Sequence, residues 1–173
     1  RPDQEGRAAE AADYEARTAG TLADCDRPRA DLAPPIGDRA EAALGADLHT
    51  RIDDMPGVPH SWCDRLHGVA DKAIGFAREV AARSENEAEA RRATSTLYHA
   101  ASAVTFAWES SRIHAMRGDA RRLLLSKLVV DHRLTAQDPF TVLPGESDGV
   151  VADRLLGDRP LPMAEAAGML GFT

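Results

Sequence analysis

"LYHAASAVTFAWESSRIHAMRGDARRLLLSKLVVDHRL", residues 97–134, holds two helix patterns divided by one turn signal. In the first, Leu97, Ala101, Val104, Trp108 and Ala115 recur in steps of four and three, the spacing of a single helix face. Arg112, His114 and Arg117 lie where the negative end of a helix dipole favours positive charge, and Gly118 is the expected left-handed terminator. Asp119 follows as a cap for the next helix. So short a connection leaves only an antiparallel pair. In the second helix Leu123, Leu124, Leu125, Leu128, Val129, Val130 and Leu134 wrap most of the axis, which makes it the expected central helix. Glu109 stands ~100° round the axis from Trp108. With Arg112 three residues on and His114 nearby, an ion pair accounts for it better than a general base does.

Outward from this hairpin, Ser84 and Glu87 have capping-box spacing, with Glu85 and Glu89 adding favourable charge at the same helix start. Ser61 and Asp64 open another helix, whose stripe is Trp62, Leu66, Val69, Ala73, Phe76 and Val80. Asp38 and Glu41 open a third, over about 39–53, with a narrow stripe of Ala43, Leu44, Leu48 and Ile52 that "MPGVP" stops. Residues 1–25 are rich in Ala and charge but poor in large apolar side chains, and "DRPRADLAPPIGD" reads as a proline linker. After "QDPF" come a loop in "VLPGES", a short helix around "DGVVADRLLG", and a last helical turn that Pro162 starts and Gly171 closes. No run shows convincing strand alternation. The expected fold is therefore all-α: an antiparallel bundle of four to six helices in 38–140, a loosely attached or disordered segment with a Pro-rich linker in 1–37, and a C-terminal docking tail with short helices in 141–173.

Composition agrees with helices and narrows the function classes. There are 32 alanines and eight aromatic residues among 173, so the core must come mostly from Leu, Val and Ala. A net charge of -7 argues against a general nucleic-acid surface. The longest apolar run, "LLLSKLVV", is too short to span a bilayer. Two distant cysteines, Cys25 and Cys63, make no disulfide framework, and a reducing, cytoplasmic setting is expected. The start "RPDQEGRAAE" has neither Met nor an apolar signal core, which points to a fragment, a processed product or an expressed segment.

Chemistry-bearing motifs are few. In "HSWCDRLH" only Cys63 and His67, four apart on a helix, could share a zinc ion; His60 precedes the expected cap, and coordination stays unfinished unless distant His49 or Asp71 joins. No metal site is expected. Arg112, Arg117, Arg121, Arg122 and Lys127 gather positive charge that could hold a phosphate or an acidic partner, or could simply balance helix ends. The chain has no glycine-rich phosphate loop, nucleophile elbow or paired-cysteine motif. No catalytic residue is assigned.

The stretch "TLYHAASAVTFAWESSRIHAMRGDARRLLLSKLVVDHRLTAQDPF", with "ADRLLGDRPLP" behind it, resembles the C-terminal helical region of acyl-CoA dehydrogenase-like flavoproteins, in helix pattern and texture, over roughly residues 60–160. The resemblance implies a helical bundle that packs against neighbouring subunits and helps enclose FAD and an acyl-CoA thioester, with a glutamate as base and the flavin as hydride acceptor. The family's Y-E-G-T-like segment and the glycine-rich stretch before it are missing here, and so are its N-terminal helical and middle strand domains. Glu109 matches no family catalytic position, so the resemblance implies wall and interface roles without catalysis by this chain alone. The competing expectation is a non-enzymatic helical interaction module whose Ala-rich faces serve self-association. A metal or ligand sensor built on Cys63 and His67 comes third.

Overall fold

The structure, a computed structural model, describes residues 36–83, 87–135 and 145–171. Among these residues it is all-helical, with six α-helices and no strand. The helices are α1 (Ile36–Asp53), α2 (His60–Ala81), α3 (Glu87–Arg117), α4 (Arg121–Val129), α5 (Gly145–Leu156) and α6 (Met163–Gly168). A π-helical turn, Val130–Leu134, continues α4 without a break. The described residues from Gly37 onward group as one compact unit.

Several helix starts differ from those read in the sequence. Helix α1 begins at Ile36, two residues before Asp38, and α2 begins at His60, so Ser61 lies inside the helix. Pro59 occupies the cap position of α2, where its fixed φ of -59° and missing N–H suit a helix entry that needs no side-chain cap. The expected cap at Ser84 lies outside the described residues. At the end of α3 glycine behaves as expected: Gly118 has φ 71°, the left-handed conformation that terminates a helix at least cost for a residue without Cβ, whereas Gly171, with φ 79°, lies beyond α6, which ends at Gly168 with Met169 as its cap.

The core is layered on α2, α3 and α4. Trp62, Leu66, Ala70, Ala73, Ile74, Ala77 and Val80 of α2 are buried. On α3 the buried positions are Ala93, Ala100, Ala103, Val104, Ala107, Ser110 and Ser111. The buried stripe of α3 is thus turned by about one residue from the expected one: Leu97, Ala101 and Trp108 flank it, and Ala115 is exposed. The buried alanines of both helices, Ala70, Ala73 and Ala77 on α2 and Ala93, Ala100, Ala103 and Ala107 on α3, face inward and let the helices approach closely. Helix α4 is central, as expected, with Leu123, Leu124 and Val130 fully buried and with contacts to α3, α5 and α6. Val151, Leu161, Met163, Ala166 and Leu170 bring the C-terminal segment into the same core.

Three buried serines join the layers. Ser126 of α4 accepts the Trp62 indole N–H at 3.3 Å. Ser110 donates to the Ala120 carbonyl at 3.0 Å, closing the hairpin, and Ser111 donates to the Pro56 carbonyl at 2.9 Å, fixing the α1–α2 loop. Each hydroxyl is thereby satisfied where an unpaired one would cost stability. No helix among the described residues is long and apolar enough to cross a membrane.

Candidate functional site

Glu109 pairs with Arg122 across the α3–α4 hairpin, not with Arg112 on its own helix. Arg112 instead reaches back to Asp54, just after α1, and lies 5.3 Å over the Trp108 ring, whose other neighbour Arg51 is 5.2 Å from the same centroid. Trp108 is therefore a rim residue packed with guanidinium groups, because the alanine stripe beside it takes the buried phase. Arg121 binds Asp119 at 2.7 Å, and Lys127 binds Asp131. Of the five cations that could hold a phosphate or balance helix ends, Arg112, Arg121, Arg122 and Lys127 are each matched to a carboxylate.

Asp119 lies one residue before the cap position, which Ala120 holds without a side-chain cap bond, and it organises the turn from there. It accepts the Arg121 N–H at 3.1 Å and the Leu161 N–H at 3.3 Å, while the Ala120 N–H donates to the Leu161 carbonyl at 2.7 Å. Its carboxyl is held below the usual range, chiefly by the Arg121 guanidinium and further by the two backbone N–H groups, against the opposing effect of burial.

Positive charge also gathers elsewhere. An open cleft of about 730 Å³ runs between α2, α3 and the π-turn. Arg65 and Lys72 come from α2, Arg92 from α3 and Arg133 from the π-turn, with Val69, Phe76 and Leu134 as apolar floor. No carboxylate among the described residues lines it. Arg65 is anchored to Asp131 at 2.9 Å and Arg92 lies 5.3 Å over the Phe76 ring. Lys72 and Arg133 make no ion pair among the described residues. A π-turn widens the helix locally, and here it carries Arg133 and Leu134 to the cleft wall. Four cations contributed by three separate elements leave no local motif, which is why the sequence did not display this site.

The Cys63–His67 pair takes a different form from the one considered. His60 opens α2 and is exposed; Cys63 is half-buried, its thiol pushed up by burial and then by the Asp64 charge. His67 turns to α1, where His49 Nδ1 lies 2.6 Å from its own Nδ1. Asp71 contacts His49 Nε2 at 3.0 Å and Asp53 contacts His67 Nε2 at 3.2 Å. No three His, Cys, Asp or Glu side chains among the described residues are arranged to hold a metal ion.

No family model matches the chain, and no curated protein or solved structure is significantly similar to it.

Proposed function

We propose that this chain is a non-catalytic helical module of an acyl-CoA dehydrogenase-like flavoprotein assembly, lending the basic cleft as one wall of a site for a phosphate-bearing ligand. The observation that carries this reading is the pairing of uncommitted Lys72 and Arg133 with an apolar floor in a chain whose net charge is -7. A lining that combines cationic and apolar side chains suits the phosphates and the pantetheine or acyl part of an acyl-CoA, or the diphosphate of FAD. Arg65, Lys72 and Arg133 would hold the phosphates; FAD, when bound, supplies hydride acceptance, for which this chain offers no assigned base. The ion pair of Glu109 with Arg122 supports a structural rather than a catalytic role for that carboxylate. The cleft is open on one side, which favours a second wall from another chain or domain.

Calorimetric titration of the purified chain with coenzyme A at low salt tests the reading. Binding that weakens with salt and drops tenfold or more in Lys72→Glu/Arg133→Glu is expected, with no acyl-CoA oxidation when FAD and an artificial electron acceptor are added. Turnover by the chain alone would overturn the non-catalytic assignment. Absence of coenzyme A and FAD binding, with self-association in sedimentation, would favour the plain interaction module.

A further inference from the structure

Independently of the cleft, α1 and α2 meet through an arrangement of two histidines and two aspartates that constrains where hydrogens can be. The rings of His49 and His67 are 14° from parallel with centroids 4.9 Å apart. That separation is the 2.6 Å Nδ1 contact lengthened by one ring radius at either end, so the rings meet edge to edge rather than one above the other. Each Nε2 faces a carboxylate, which as an anion only accepts, and therefore carries its own hydrogen. Two neutral rings would then aim bare Nδ1 lone pairs at each other. Two fully protonated rings would aim two N–H groups at each other. Only a single intervening hydrogen turns the contact into an N–H···N bond. A zinc ion does not fit the gap, because Zn–N bonds of about 2.0–2.1 Å would hold two in-line nitrogens about 4 Å apart.

We propose that His49 and His67 form one proton-binding site, a hydrogen shared between their Nδ1 atoms, whose imidazole–imidazolium pair is held between Asp53 and Asp71 and clasps α1 to α2. The pair carries one positive charge against two flanking negative ones. Around it, Arg51 on α1 is directed to Asp47 and Trp108, Arg112 on α3 is committed to Asp54, and on α2 the half-buried Cys63 keeps its proton. Lys72, next to Asp71 in sequence, lines the cleft. The histidine side chains are 34% and 30% exposed, so water can deliver and remove the proton.

Nuclear magnetic resonance of the full chain labelled with ¹⁵N-histidine tests this without any substitution. The expected result is one far-downfield proton coupled to nitrogens of two different histidines, with a ¹⁵N–¹⁵N coupling through the hydrogen bond. In thermal melts His49→Gln, His67→Gln and the double variant should fall by the same amount, with helical circular dichroism retained, since either single change removes the whole clasp. Two histidines without mutual coupling, additive effects in the double variant, or stoichiometric zinc bound through both Nδ1 atoms would each overturn the proposal.

Discussion

Trp62 and Trp108 look alike in the sequence, each on an amphipathic stripe, yet they belong to different environments. Trp62 is fully buried with its N–H donated to Ser126, whereas Trp108 lies at the rim between Arg51 and Arg112. Trp62→Ala should cost ~3–5 kcal/mol in denaturant unfolding, as large-to-small core changes do. Trp108→Ala should cost less, ~1–2 kcal/mol, through lost cation–π contact and partial packing. At Asp119 the sign of the pH effect follows from its lowered pKa. The ionised carboxylate stabilises the fold above the ordinary aspartate range near ~3.9 and ceases to do so as pH falls through its lower folded value. Asp119→Asn should therefore be less stable than the wild type at neutral pH, and the difference should shrink in acid, as melting curves taken across pH will show. Gly118 was legible because its role is local; Asp119 was legible only in part, because it also receives the N–H of Leu161, 42 residues on. The His49–His67 contact was not, because it joins residues 18 apart through the packing angle of two helices.

Helix existence followed from periodicity, but helix phase did not always follow. On α3 the large side chain of Trp108 drew the apparent stripe towards itself, whereas Ala100, Ala103, Ala107, Ser110 and Ser111 are the buried positions. Small residues weigh little in hydropathy and a great deal where helix axes approach closely. Ser110 and Ser111 could be recognised as core only with knowledge of the carbonyls that receive them, at Ala120 and Pro56. The π-turn at the end of α4 had no signal of its own, since Val130–Leu134 continues a plausible α-helical pattern. Gly118 offers a test at this scale. Nothing lies within 4 Å of the place its Cβ would occupy, so Gly118→Ala meets only the backbone cost of its φ of 71°. A loss of ~1–2 kcal/mol, read by denaturant titration, is expected.

For the whole molecule, the all-helical class and the antiparallel hairpin were readable from composition, periodicity and one turn. The basic cleft was not, because α2, α3 and the π-turn each supply charges that look like ordinary surface residues until the bundle assembles. The resemblance to acyl-CoA dehydrogenase-like proteins stands as the proposal above and is open to the ligand titration. Close packing through the alanines makes the interior intolerant of added volume. Ala103→Leu and Ala107→Leu should each destabilise by ~1–3 kcal/mol in equilibrium unfolding, while the same change at exposed Ala115 should be nearly neutral.

The alanine seam between α2 and α3 also sets how stability responds to temperature. An alanine freezes no rotamers on folding and withdraws only a methyl group from water. A core rich in alanine therefore exposes comparatively little hydrocarbon when it melts. The heat-capacity increment of unfolding should lie below the usual ~12–15 cal/mol/K per residue, which flattens the stability curve across temperature. Scanning calorimetry at several pH values will measure it: a shallow slope of unfolding enthalpy against melting temperature is the thermal signature of helices joined by methyl groups.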